Sequence, residues 1–349
     1  MAERDTSTAV GHPDCPKAMV FGPCGGVGPR GSCEVDGRAC PFPAEEALRS
    51  WPVSGLLPRP FGLPAVIVDV RPDVDRPDLL RSMADRLVAH GCAALLGEHL
   101  DDPDPEHPHR AARRVTGLGV ATVATVTPRN RSVDECGQEV DELRAAGVLA
   151  VHCVTGDHPA ARLGGGLGAT FPLDGTRLTA LARERGAFVT VAESPASPPR
   201  EWRPERLLSK QWAGADAAIL NHAGSVADLC DFARRCRDAG VTMPLVAPVP
   251  VVTDHRSAHA LTQFPGVVLP PDLLDAVLRA DDPRRAGIDA AIGIGRALLS
   301  SGEFEHLNLS GSASGHGTAD RIEIMTEVAV EVAVEVAVEV AVEVAHPEA

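Results

Sequence analysis

Cys15, Cys24, Cys33 and Cys40 stand close to the start of the chain, with eight, eight and six residues between them. The run that holds them, CPKAMVFGPCGGVGPRGSCEVDGRAC, is broken by proline and glycine too often for a helix or a strand. Thiolates on loops of this kind can surround one ion, and in a segment too short for its own core the ion would supply the folding energy. The spacing therefore reads as a metal-binding module over residues 1–45, holding zinc or, with the same four ligands, an iron–sulfur cluster. The remaining cysteines, Cys92, Cys136, Cys153, Cys230 and Cys236, fall in strand-like and helix-like runs and read as small buried thiols. Gly26, Gly28 and Gly31 match the spacing of a dinucleotide fingerprint, but no strand precedes them and no helix follows, so the match is discounted.

The elements that must carry any further chemistry begin near residue 65. Short apolar runs alternate with longer amphipathic ones: AVIVDV (65–70), CAALLG (92–97), GVATVATV (119–126), VLAVHCV (148–154), AFVTVAE (187–193), DAAILN (216–221), MPLVAPV (243–249) and HLNLS (306–310). Between the first two, Leu79, Leu80, Met83, Leu87 and Val88 recur at helical spacing and Gly91 closes the pattern. Fully apolar strands interleaved with helices predict a parallel sheet covered by helices. Eight such units close most naturally into a (β/α)8 barrel over 65–325, with a doubly wound open sheet as the other arrangement. In a barrel the chemistry belongs at the C-terminal strand ends. His158 and His222 follow such ends and read first as hydrogen-bonded loop residues. Residues 46–64 are a proline-rich linker. The EVAV repeat of the tail, 326–349, places glutamates at i, i+4 on a helix, where like charges repel by a few tenths of a kcal/mol. As a strand it would put every valine on one face. No function is assigned to it.

Composition narrows the partners. Forty-eight acidic against 33 basic side chains give a formal charge of -15, which repels nucleic acid and anionic membrane surfaces. No apolar run approaches the roughly 20 residues of a membrane span, and the first residues lack a charged-then-apolar leader. A cytoplasmic protein is expected.

The exit of strand four, VTGDHPAARLGGGLGATFPLDG, resembles that of methylenetetrahydrofolate reductases, which end this strand in a Gly-Asp-x-Pro turn followed by a loop and an acidic residue opening a helix. Gly156, Asp157, Pro159 and Asp174 stand in those places. LLSKQWAGADAAILN, FPGVVLPPDLLDAVL and the final helix and strand follow the same family in order and spacing, and the Cys15–Cys40 segment is similar to a module found beside some of these reductases. The resemblance implies FAD and a tetrahydrofolate substrate. It gives Asp69 the place of the strand-one glutamate that acts as an acid in ring opening. Asp157 would lie near the flavin ring, and Thr155, Gly156 and Lys210 would hold the cofactor, Lys210 at its phosphates. Asn221 stands where the family carries a folate-binding glutamine. With no tyrosine in the chain, stacking on the pteridine falls to Phe171, Trp202, Trp212 or aliphatic side chains.

Two function classes follow: a reductase-like oxidoreductase acting on a folate-bound one-carbon unit, or a non-redox folate-binding or methylene-transfer protein or partner subunit on the same barrel. Both take a folate and neither takes nucleic acid. A homo-oligomer or a redox partner protein is compatible with either.

Overall fold

The computed structural model describes residues 10–42, 48–73, 75–100, 108–164, 166–264, 266–270, 272–311 and 317–345, the last twelve by backbone alone. The expected module boundary at 45/46 and the ends of the chain lie outside the described residues. Eight parallel strands close a barrel in chain order: β1 (Val66–Val70), β2 (Ala93–Leu96), β3 (Thr122–Val126), β4 (Ala150–Cys153), β5 (Val189–Glu193), β6 (Ala217–Leu220), β7 (Leu245–Pro250) and β8 (His306–Ser310). The (β/α)8 TIM barrel is thus the fold, and each strand falls inside or within a residue of the run expected for it.

Strand alternation divides the core. Val66 and Val68 face the helices, whereas Ile67, Ala93, Leu95, Val123, Ala150, Ile219 and Val246 fill the barrel axis. The linker closes the N-terminal end. Phe61 stacks on Phe188 with centroids 5.2 Å apart, and the Arg59 guanidinium lies over the same Phe188 ring while binding the buried Asp216 carboxylate.

Helix starts are set by short polar caps. Ser132 and Glu135 form a capping box on α3 (Val133–Ala145), the helix that follows α1 (Pro77–Ala89) and α2 (Pro108–Thr116). His158 caps the short α4 (Pro159–Leu163), and Asp174 caps α5 (Gly175–Glu184). A single 3-10 turn at Arg200–Trp202 leads into α6 (Arg203–Trp212). Ser225 and Asp228 box α7 (Val226–Asp238), and α8 (His255–Thr262) and α9 (Leu273–Leu278) follow β7.

The last two helices resolve the tail. The EVAV repeat is helical within α11 (Thr318–Ala345), which packs on α1, β1 and α10 (Pro283–Leu299) as the barrel's final helix. Val328, Ala329 and Val332 are buried there, so the barrel core extends past residue 325. The expected glutamate repulsion is relieved between helices. Glu323, Glu327 and Glu331, one turn apart, pair with Arg284, Arg285 and Arg296 of α10 at 3.4, 2.7 and 3.9 Å.

Candidate functional site

Up the barrel axis the inner side chains change from apolar to polar at the C-terminal strand ends. Two residues beyond Ile67 on the same face is Asp69, and the Asn308 side chain of the neighbouring β8 hydrogen-bonds its carboxyl. One oxygen of each, Asp69 Oδ1 and Asn308 Oδ1, is sealed from solvent without a donor. Burial raises the Asp69 carboxyl to about 7, and the Asn308 contact offsets only part of that rise. A proton on Asp69 would provide the donor that this pair of oxygens lacks. On the helix side of β1, Val68, Leu80 and Met83 of α1 and Ile322 and Met325 of α11 line a cavity of about 420 Å³ that reaches Asp69, Arg71, Asp73 and Thr318 at its edge and lies between strand and helices, apart from the barrel mouth that Asp69 and Asn308 face. That volume lies in the range of small-molecule sites.

On β4 and β5, His152 Nδ1 and Thr190 Oγ1 are 2.9 Å apart inside the barrel. Burial, reinforced by Lys210, lowers this histidine to about 3, so it is neutral at physiological pH. His222 is similarly held by Ser310, 2.6 Å from its Nε2, and burial lowers it to about 4. His158 accepts the Ala160 amide as a cap. His158 and His222 are therefore hydrogen-bonded structural residues, as their loop positions suggested.

The expected cofactor residues gather at the opposite side of the rim, and the cysteine segment lies on them. Gly156 has φ +80°, and a Cβ there would come within 2.8 Å of Thr127, so glycine is required. Its carbonyl accepts Lys17 Nζ at 2.8 Å. Thr155 Oγ1 accepts the Gly175 amide and donates to Met19 Sδ. Asp157 keeps about a third of its side chain exposed and lies 3.5 Å from Arg162.

Lys210 does not stand free to meet a phosphate. It is buried behind β5, donating to Glu193 Oε2 at 2.7 Å and to the Ala192 carbonyl. Arg203 and Arg206 meet the same carboxylate at 3.1 and 3.0 Å. Burial opposes the charge on Glu193, but Lys210, Arg206 and Arg203 outweigh it and hold the carboxylate well below its ordinary range. The group expected to bind cofactor is thus the cation of a buried structural cluster.

The pteridine-stacking candidates are also engaged. Phe171 is buried and stacks on His158 with centroids 5.9 Å apart. Trp202 packs so closely on Gly22 that a Cβ there would collide with its ring. Trp212 lies where the linker passes, its carbonyl accepting Ser54 Oγ. None of the three borders the Asp69 cavity. Asn221 does face the mouth from the end of β6 and donates to Ser194 Oγ at 2.7 Å.

The four cysteines converge as expected, lining one small cavity of about 10 Å³ with Lys17 and Glu34, room for one water-sized body. Among the described residues, however, no group of three or more Cys, His, Asp or Glu side chains stands in a metal-holding arrangement. The donor set fits zinc or an iron–sulfur cluster in kind. Burial raises the Cys15 and Cys33 thiols, and Cys40 to about 11.

Glu98, which the sequence reading did not single out, completes the rim. It accepts Thr127 Oγ1 at 2.8 Å and pairs at 3.0 Å each with Arg129 and Arg131, the Arg-x-Arg pair of TVTPRNRS that resembles the family's continuation of strand three. Its position just after strand two was the one available signal.

A family model for methylenetetrahydrofolate reductase matches residues 108–313, more than half of the 349-residue chain. The chain belongs to the methylenetetrahydrofolate reductase family. The match takes in β3 to β8 with Thr155, Gly156, Asp157, Lys210, Asn221 and Asn308, and leaves out Asp69, Glu98 and the cysteine segment. No curated protein sequence matches the chain. Among solved structures, a Clostridium thermocellum protein that binds two copies of 5-methyl-5,6,7,8-tetrahydrofolic acid superposes with a TM-score of 0.53 at 11% identity, over 77% of this chain and 95% of that one. Dihydropteroate synthase from Thermus thermophilus, in complex with 6HMPPP, gives a TM-score of 0.43 at 15% identity, over 77% and 96%. At these identities the likeness is one of barrel fold. No helix among the described residues is long and apolar enough to cross a membrane.

Proposed function

We propose that this member of the methylenetetrahydrofolate reductase family acts on a folate-bound one-carbon unit, with Asp69 as the proton donor. The observation that supports this reading is the Asp69 carboxyl on the inner face at the end of β1: raised to about 7 by burial, hydrogen-bonded to Asn308 and short of a donor. The Clostridium thermocellum neighbour adds that a barrel of this shape accommodates a reduced folate.

The chemistry asked of Asp69 is limited. In 5,10-methylenetetrahydrofolate the methylene carbon bridges two nitrogens. Protonation of N10 by Asp69 as its bond to that carbon breaks leaves an electrophilic iminium carbon on N5. A hydride from a reductant would complete a reduction to the methyl group, whereas attack by a nucleophile on that carbon, followed by cleavage of its bond to N5 with the electron pair and a proton going to N5, would complete a transfer. Asn308 holds the carboxyl in place, and Asn221 offers an amide on the β6 side of the mouth for the pteridine ring. The reductase outcome is the reading favoured by the family. The non-redox outcome remains the alternative on the same residues, because it requires the same acid and no bound electron carrier.

The cysteine module is read as a structural site for zinc or an iron–sulfur cluster, supported by the convergence of Cys15, Cys24, Cys33 and Cys40 on one cavity.

The test pairs binding with turnover. Calorimetry with methylenetetrahydrofolate should show saturable binding, and methyltetrahydrofolate should form when a reductant is supplied. Asp69→Asn should keep binding and lose turnover by about 10²–10⁴-fold. Asp69→Glu should retain activity, because it restores the longer acid found at this position in the family. Failure of the wild type to bind any reduced folate would overturn the reading. Folate binding with methylene transfer but no reduction would select the alternative.

A further inference from the structure

We infer that the N-terminal cysteine segment permanently occupies the part of the barrel rim where the family resemblance places the flavin nucleotide, so that this chain holds no flavin dinucleotide there. The inference rests on the assignment of Thr155, Gly156, Asp157 and Lys210 as cofactor positions and is independent of Asp69 and of the folate.

Each of those positions already has a partner of the chemistry that a nucleotide would bring or seek. The helix-opening carboxylate Asp174 is fully buried: its Oδ2 accepts the amides of Val20 and Phe21 at 2.9 and 3.0 Å, and its Oδ1 accepts the Arg177 amide. Three backbone amides and complete burial keep this carboxylate out of reach of a ligand at the rim. The Gly156 carbonyl and the space over it are taken by Lys17. Glu34 is its direct ion-pair partner. The place over Gly156 and beside Asp157 is therefore already filled by a basic side chain of the protein itself.

Lys210 is bound into the Glu193 cluster, and that cluster depends on the segment. Three basic side chains surround one carboxylate in a buried place, and backbone carbonyls must accept the N–H groups that Glu193 leaves over. Two of those carbonyls are Pro23 and Cys24, which accept Arg203 at 3.4 and 3.1 Å. Ser197 fixes the next residues by donating to the Gly25 carbonyl at 2.6 Å. Met19, Val20 and Phe21 are buried at this contact. Swinging the segment away to admit a nucleotide would expose three apolar side chains, free the Asp174 carboxylate and remove two acceptors from Arg203 together. The segment is thus buried against the barrel rim.

The experiment titrates the full chain with FAD and with FMN by flavin fluorescence, and follows hydrogen exchange of residues 17–27 in the same samples. We expect purified protein without bound flavin, no saturable quenching across the micromolar range, and amides at 17–27 protected like those of β4 and β5. Lys17→Ala should raise exchange at 17–27 and leave strand protection intact, with Lys17→Arg restoring part of it. Flavin retained through purification, or tight binding with residues 17–27 still protected, would show that segment and cofactor coexist and would overturn the inference. So would flavin binding that releases 17–27, since the segment would then be a displaceable lid. Folate binding measured alongside separates the two readings: its absence sinks the substrate assignment and leaves this one standing.

Discussion

Asp69 and Asn308 face one another across the seam where β1 meets β8, and each keeps an oxygen sealed from solvent with no donor to satisfy it. The pair favours a protonated carboxyl, and this has a consequence for stability. Asp69 titrates near its ordinary 3.8 when unfolded and near 7 when folded. Between those values the folded chain holds one more proton than the unfolded chain. Its contribution to stability is therefore present below the lower value and lost as pH rises through the window, at a slope of up to about 1.4 kcal/mol per pH unit. Denaturant unfolding of wild type and Asp69→Asn from pH 4 to 8 should show the variant gaining on the wild type as pH increases. Parallel curves would mean that the carboxyl is not held in the protonated form.

The Glu193 cluster predicts the opposite kind of sensitivity. Glu193→Gln leaves Lys210, Arg203 and Arg206 buried without their anion and should cost about 3–5 kcal/mol in urea unfolding. Lys210→Met should cost much less, because two arginines still neutralise the carboxylate. If Lys210→Met proves the more damaging change, the lysine has a role outside this cluster.

Asn221 tests the substrate side of the mouth. Asn221→Ala removes an amide that here meets only Ser194, so folding should be little affected. Affinity for tetrahydrofolate, measured calorimetrically, should fall by about 1–3 kcal/mol if the amide binds the pteridine ring. Unchanged affinity would move the folate away from β6.

For the cysteine module, one metal ion or cluster per chain is expected in elemental and absorption analysis. Cys24→Ser combined with Cys33→Ser should lose it and lower protection of residues 15–42. Full metal retention in that double variant would remove the four-thiol assignment.

The sequence was most legible where one local pattern has one physical outcome. Eight apolar runs separated by amphipathic ones admit few arrangements, and the strands lie where those runs lie. Asp69 was readable as a strand-end residue, and His158 as a hydrogen-bonded loop residue. The cysteine spacing brought four thiols to one cavity.

Lys210 shows where this legibility stops. Its position in the chain matches a cofactor lysine, but the face it occupies on α6 is set by how that helix docks on β5, and docking gives it Glu193. The EVAV repeat has a period of four that suits either helix or strand. Burial of Val328, Ala329 and Val332 on the barrel favours the helix, and arginines of α10, supplied by a different helix, meet its first glutamates. Most plainly, the sequence by itself determined the barrel, its strand ends and the existence of a cysteine module. Where that module sits was decided by tertiary structure, through contacts such as Val20 to Asp174, 154 residues apart. Hydrogen bonds and burial across such separations leave no periodic trace in either segment, so only the folded chain reveals that the rim expected to hold a cofactor is filled by the protein's own N-terminal segment.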